Sequence, residues 1–464
     1  MLEESISQIE QRISELQQPT RQRQPDKSGR VLLQTPYATG NPSNLNWTAA
    51  AEPPMDMVEN LISTFLLSAS EFGFFLNSSR FRQCALVRQP IGSPQRPLPA
   101  LLTTAYLWGL RLSNQPMLQA QEPVFLARAL QQTANGLSSP HPDRVLHTLQ
   151  AELLLTYYFF ASGRFLEGKY HASACVSLAL STGLHTIRST SMSPSNMLAP
   201  SRDAVEEGER IHAWWTVVIL DNTWAVALEE GPHLDLNANV DTPWPLEIEQ
   251  YEGGHFDSSK RYSNTVTKFI NATPTSDTGN STHALLAKAS LLWQRAYALQ
   301  RSSAPQPAVD FLDAMLANFT ASLPLPTSFS HITATMGRAL VVAHSIAHAA
   351  IIELHRHRER PESRRKSVTA AQMLLNILTA TTTVLPGGSI NPVMGTVWRL
   401  ACRVLMDELS EMSATRYHGQ HLELQTLLAR VVEAIERFRA TSASPFLDYQ
   451  IGRIQEAWQE LLMP

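Results

Sequence analysis

The sequence predicts an all-α protein, in which a short coiled-coil helix and a disordered linker precede one large multi-helix domain. From Met55 onward, apolar residues recur every three to four positions in runs too long for ordinary strands. Alternating Val, Ile, Thr or Tyr runs bounded by Asn-Gly or Asp-Gly turns do not occur in the sequence. Because 44% of the 464 residues are apolar, the chain can also bury a large helical core.

The predicted coiled-coil helix covers residues 1–18, where apolar residues repeat with the alternating spacing of an a/d seam. The seam covers little more than two heptads, and ordering its backbone costs at least as much as its burial contributes. We therefore expect it to extend a longer helix or to add to another interface, such as that of a homodimer, rather than to dimerise alone. Its candidate dimerisation residues are Leu2, Ile6, Ile9, Ile13 and Leu16.

The prolines and polar residues of 19–54 predict a disordered linker, and the helical domain is expected over 55–440. Ser, Thr, Asn and Gly dominate residues 253–283, which indicates a loop insertion. A final helix is predicted within the segment 441–464. Further helices are predicted at 284–302, 305–322, 328–358, 365–384, 391–413, 417–440 and 445–462.

The charge and the cysteine content of the sequence argue against several classes of protein. A formal net charge of −4 gives no global basic footprint for nucleic acid. The three cysteines, Cys84, Cys175 and Cys402, lie far apart, so neither a zinc finger nor a disulfide framework is expected, and no cofactor or metal is expected in this chain. The polar, acidic start is unlike a signal peptide, and charges interrupt the apolar runs, so we expect an intracellular protein without membrane contact.

One stretch imitates a nucleotide-binding loop. Gly163, Gly168 and Lys169 have the G-x-x-x-x-G-K spacing, and Asp221 follows an apolar run as a Walker B carboxylate would. Tyr170, however, occupies the position of the magnesium-binding hydroxyl, and the flanking runs have helical spacing. We therefore predict an α-hairpin with its turn at Ser162-Gly163, with Asp143 as the N-cap of its first helix. A nucleotide hydrolase is the least favoured function.

The same segments resemble the regulatory, or middle homology, region of fungal binuclear zinc-cluster transcription factors. The resemblance rests on "GRF", "TGLH", an Arg-x-x-x-Trp-Trp helix with a downstream Asp, and a Gly-Pro turn followed by "DTPWP". It extends over residues 56–440. The matching positions are Gly163, Arg164, Gly183, Leu184, His185, Glu209, Arg210, Trp214, Trp215, Asp221, Gly231, Pro232, Asp241 and Pro243.

The resemblance implies a nuclear, non-enzymatic regulator of RNA polymerase II transcription that contacts the transcription machinery or co-regulators and responds to a small-molecule effector. The family binds zinc and DNA through an N-terminal six-cysteine cluster, which this sequence lacks, and the family's turn arginine before Pro232 is also missing. We therefore expect the chain to carry the regulatory region only, with DNA contacted through a missing zinc-cluster head. The alternative is a helical scaffold or co-regulator that does not bind DNA.

Several residues carry separate expectations. Trp214 and Trp215 are predicted to be core aromatics. Asp221, placed among apolar residues, needs a partner, either a backbone N–H or an arginine such as Arg164 or Arg210. His344 and His348 lie one helical turn apart, but no third metal ligand is evident.

The segment 355–366 is a candidate nuclear-import patch or a solvated helix end. Its basic residues are Arg356, Arg358, Arg360, Arg364, Arg365 and Lys366.

Overall fold

The structure is a computed structural model of the chain. The predicted coiled-coil helix 1–18 and the linker up to residue 49 lie outside the described residues. The structure describes residues 50–191, 198–236, 240–254, 257, 259–302, 304–356, 358, 360–381, 389–415, 418–441 and 444–462.

Within those residues the fold contains seventeen α-helices and no strand, which confirms the all-α prediction. Short 3₁₀ turns lie at Ala69–Phe72, Gly136–Ser138, Leu184–Thr186 and Pro326–His331. The helices are α1 Met55–Leu66, α2 Ser78–Ala85, α3 Pro99–Leu112, α4 Pro116–Gln119, α5 Glu122–Ala134, α6 Arg144–Ala161, α7 Phe165–Ser181, α8 Ala204–Ala227, α9 Ile248–Glu252, α10 Thr265–Ile270, α11 Thr282–Arg301, α12 Gln306–Ser322, α13 Ala334–His355, α14 Pro361–Thr381, α15 Met394–Thr415, α16 His418–Thr441 and α17 Pro445–Leu462.

The observed elements differ from the sequence prediction in several places. Helix α13 begins at Ala334, six residues after the predicted start at 328, because the 3₁₀ turn Pro326–His331 precedes it. Helix α14 begins at Pro361, four residues before the predicted start, because proline is well suited to the first helical position, where its missing N–H is not needed. The segment 253–283 is rich in loops, but it also contains the short helix α10, which its polar composition conceals.

The helices α8, α11, α13, α14 and α15 pack side by side in that order and form the centre of the core. From Ile211 to Val226, every residue of α8 is buried, as expected for a helix surrounded by others. Helix α13 is long and apolar enough to cross a membrane, but 78% of its most apolar window is buried inside the fold. That burial is typical of a core helix.

Helices α6 and α7 form the predicted α-hairpin. Gly163 adopts φ +72° at the turn, a left-handed conformation that glycine reaches without strain. A Cβ on Gly168 would lie 2.4 Å from the Phe160 ring, so this glycine allows the two helices to approach closely. Asp143 occupies the N-cap position of α6 as predicted, but its side chain forms no capping hydrogen bond. Its carboxylate instead accepts a hydrogen bond from Arg202 at 2.8 Å.

Candidate functional site

The motif residues meet where the turn after α7 crosses the extended segment 240–245. Gly183 reverses the chain at φ +72°, and the 3₁₀ turn Leu184–Thr186 follows. The carbonyl oxygen of His185 accepts the backbone N–H groups of Asp241 and Thr242 at 2.9 and 3.1 Å. Thr242 also donates its hydroxyl to the Leu184 carbonyl at 2.5 Å. The "TGLH" and "DTPWP" motifs are therefore two halves of one crossing.

The carboxylate of Asp241 fixes the outer side of this crossing. One of its oxygens accepts the hydroxyl of Ser189 at 2.5 Å, and the other accepts the backbone N–H of Asn264 at 2.8 Å. Asp241 is 4% exposed, so both bonds are largely sheltered from water. This carboxylate joins the loops that precede α8 and α10.

The two tryptophans of α8 lie in the core. Trp215 is completely buried, stacks on Trp244 with ring centroids 4.2 Å apart, and donates its indole N–H to the Pro243 carbonyl at 2.6 Å. Trp214 is also buried, and its ring lies 5.8 Å from that of His185. The two tryptophans thus attach α8 to both segments of the crossing, which is a structural role.

Glu209 and Arg210 act at the start of the same helix. Arg210 pairs with Glu206 at 2.6 Å and donates to the Ala199 carbonyl at 2.8 Å. Glu209 accepts the backbone N–H of Asn77 at 2.8 Å. Burial raises the pKa of Glu209 to about 7, because its single backbone bond and nearby Arg80 only partly offset the lost hydration.

The raised pKa of Glu209 makes stability depend on pH. In the unfolded chain this carboxyl titrates near 4.5, so between that pH and about 7 the native state binds the extra proton. The stability that the protonated Glu209 carboxyl contributes below pH 4.5 is therefore lost as the pH rises through 7. We expect Glu209→Gln to equal the wild type near pH 5 and to exceed it by about 1–2 kcal/mol near pH 8, measured by urea unfolding. Glu460→Gln, on an exposed part of α17, is the control; a constant difference between Glu209→Gln and the wild type across this range would contradict the effect.

Asp221 holds the turn that follows α8. Its two oxygens accept the backbone N–H groups of His233 and Leu234 at 3.0 and 2.8 Å, and the His233 ring lies 2.8 Å away. The expected backbone partners are therefore present, but neither Arg164 nor Arg210 contacts Asp221. Arg164 pairs with Glu167 at 2.8 Å, and Arg210 has Glu206 one helical turn away. In both cases the arginine pairs with a carboxylate that is close to it in the sequence.

The turn held by Asp221 forms one wall of a cleft of about 780 Å³. Gly231 and Pro232 lead into it, and α10 and α11 supply the other walls. Apolar side chains of Leu234, Val266 and Leu291 line its middle. The sequence motifs predicted the helix and the turn, whereas the walls of the cleft come from segments that are ten to thirty residues apart in the sequence.

The residues that imitate a nucleotide-binding loop do not form a phosphate cradle. Arg164 lies over the Phe159 ring at 4.6 Å, and Lys169 forms an ion pair with Glu230. Because Gly163 lies between two helices and Gly168 lies within α7, the strand that such a loop requires is replaced by α6.

The candidate metal ligands do not fit a metal ion. His344 contacts the Pro324 carbonyl at 2.8 Å, and no third ligand joins His344 and His348 in the described part of the chain. His141, Asp143 and His147 place ligand atoms within 4.8 Å of one another. Yet His141 uses both ring nitrogens, one toward the Arg96 carbonyl at 2.8 Å and the other toward the Asp143 N–H at 3.1 Å. It therefore has no free lone pair for a metal.

The basic segment 355–366 is partly neutralised by acidic side chains. Arg356 pairs with Glu353 at 2.9 Å, and Lys366 pairs with Asp313 at 2.6 Å. Arg364 contacts Glu408 and Glu411 of α15, while Arg358 donates to a backbone carbonyl. Arg360 and Arg365 remain exposed. The nuclear-import role of this segment stays a prediction. The positive charge that the segment exposes is smaller than its sequence indicates.

A comparison with known protein families matches the part of the chain that contains these motif residues. Residues 93–301 match the fungal specific transcription factor domain, which covers the hairpin, the crossing and the cleft. One similar protein is the notoamide biosynthesis cluster transcriptional coactivator notQ' of Aspergillus versicolor, 28% identical over 164 residues. That match covers 32% of this chain and 31% of the relative, so it spans about a third of the relative's length. The predicted resemblance is confirmed over residues 93–301, which are similar to the fungal specific transcription factor domain.

Proposed function

We propose that this chain is a regulator of RNA polymerase II transcription in a fungal nucleus, and that its helical domain is a non-catalytic regulatory region. The observation that carries the proposal is the transcription factor domain over residues 93–301, with its motif residues used to hold the crossing and the cleft. The relative described as a transcriptional coactivator supports the same role.

The partners that fit this role are the transcription machinery or co-regulators, together with a small-molecule effector. A scaffold or co-regulator that does not bind DNA is the second candidate, because the relative is described as a coactivator. Homodimerisation through residues 1–18 also belongs to the proposal, although those residues lie outside the described part of the chain.

A tethering experiment tests the function. The chain is fused to a heterologous DNA-binding domain and directed to a reporter promoter in a fungal host. We expect reporter transcription to change, upward for an activator or coactivator and downward for a repressor. The matched control is a fusion with Trp215→Ala, whose lowered stability should reduce the folded fraction of the domain and, with it, the effect on the reporter. A reporter unaffected by a stable, nuclear wild-type fusion would contradict the proposal.

The gene upstream of the codon for Met1 separates the two candidates. An in-frame six-cysteine cluster there would favour the DNA-binding transcription factor. A gene without such a cluster would favour the recruited co-regulator.

A further inference from the structure

The cleft between α8, α10 and α11 has an unusual polar group at its inner end. Asn222 lines the cleft and is only 1% exposed. Neither its amide nitrogen nor its amide oxygen has a hydrogen-bond partner among the described residues. Buried amides are almost always paired, because an unpaired donor or acceptor loses its hydration without compensation. Two unpaired atoms on one buried side chain therefore indicate a partner that comes from outside the chain.

The walls of the cleft combine apolar and polar side chains. Leu234, Val266 and Leu291 are each at most 5% exposed and offer contacts to an apolar body. Polar side chains also line the cleft, namely His233, Asp235, Thr267, Asn271, Gln294, Arg295 and Ser302. The volume of about 780 Å³ lies in the range of small-molecule sites, and such sites combine apolar walls with a few polar groups that fix orientation. Asn222 is such a group at the closed end.

The charges around Asn222 select against an anionic head group. Its neighbour Asp221 is a carboxylate whose side chain is 2% exposed and whose described partners are two backbone N–H groups and His233. An anion beside Asn222 would meet this negative charge in a site with little water, where repulsion is strong. Arg295 also lines the cleft and is exposed, so an anion that pairs with this guanidinium is the alternative that the acetate probe tests.

The geometry points to a binding site for a neutral small molecule that combines an apolar body with a primary amide or lactam, whose N–H and C=O pair with the side-chain amide of Asn222. An amide offers one donor and one acceptor side by side, which matches the two free atoms of Asn222. The site rests on the proposed regulatory function as the place where its effector binds. Its chemistry is testable on the purified chain, independently of transcription.

Three closely related probes test the ligand class. Fluorine NMR of para-fluorophenylacetamide, para-fluorophenylacetate and methyl para-fluorophenylacetate is recorded with the full chain. The amide should bind with a Kd of about a few millimolar, the range expected for a fragment of this size. The acetate should bind at least about tenfold more weakly because of Asp221, and the ester should also bind more weakly because it lacks a donor.

Two variants assign binding to this cleft. Asn222→Leu should abolish preferential amide binding while raising the unfolding midpoint by about 1–3 °C, since it removes two unpaired polar atoms. Asn271→Leu, the same change at an exposed lining position, should leave amide binding unchanged. Ala298→Trp fills the cleft from an exposed position of α11 and should block the amide without contact with Asn222.

Other outcomes would overturn the ligand site. Absence of amide binding by the folded wild type, equal binding of all three probes, or undiminished amide preference in Asn222→Leu would each do so. Stronger binding of the acetate would also overturn it and would identify Arg295 as the anchor for an anion. Because these measurements involve no promoter, a negative result here leaves the reporter test of the proposed function intact, and a silent reporter leaves amide binding intact.

Discussion

Asp221→Ala should lower the free energy of unfolding by about 3–5 kcal/mol, the loss typical of removing one side of a buried, hydrogen-bonded charge. The substitution leaves the N–H groups of His233 and Leu234 without an acceptor beside a helix that is buried on all sides. The turn then loses its hydrogen bonds to residue 221 of α8. We expect urea unfolding to show the loss as a lower midpoint with an unchanged denaturant slope.

Two substitutions separate the role of Asp221 from a general effect of aspartate loss. Asp221→Asn keeps one acceptor oxygen but loses the charge, so its stability should fall between those of the wild type and Asp221→Ala. Asp310→Ala makes the same change on the exposed face of α12, where it should cost no more than about 0.5 kcal/mol. Equal losses for Asp221→Ala and Asp310→Ala would show that the turn is held by other contacts.

The partner of Asp221 shows how far the sequence predicts this site. An aspartate among apolar residues of a long helix must be paired, so its hydrogen bonds were predictable from local pattern alone. Arg210 lies three helical turns earlier on the same helix, but Glu206 is only one turn from it and takes the guanidinium. The actual donors belong to a turn beyond the end of α8, and their approach depends on tertiary packing that periodicity does not encode.

Dependence on tertiary packing also explains why the unpaired amide of Asn222 and the acidic partners of the basic segment do not follow from the sequence. The apolar run around Asn222 indicates that this residue is buried, but its lack of hydrogen-bond partners becomes evident only when α8, α10 and α11 are packed together. Likewise, the charge count of residues 355–366 includes Arg364, whose acidic partners Glu408 and Glu411 lie more than forty residues away. The α-hairpin, by contrast, was predictable, since helical spacing and a turn glycine are local properties.

Trp215→Ala should destabilise the domain by about 3–5 kcal/mol, the usual cost of truncating a fully buried tryptophan. The ring stacks on Trp244 and its N–H is bonded to the Pro243 carbonyl, so the change creates a cavity and removes the only described donor to that carbonyl. Calorimetry should show a lower unfolding midpoint, and the near-ultraviolet circular dichroism of the stacked pair should disappear.

A matched tryptophan tests whether this loss is specific to the crossing. Trp458 is only partly buried on α17, so Trp458→Ala removes the same atoms at lower cost, about 1 kcal/mol. Trp215→Phe keeps the stacking with Trp244 but loses the hydrogen bond, and its stability should lie between those of Trp215→Ala and the wild type. If Trp215→Phe were as unstable as Trp215→Ala, the hydrogen bond to Pro243, rather than the stacked ring, would be what joins α8 to the extended segment.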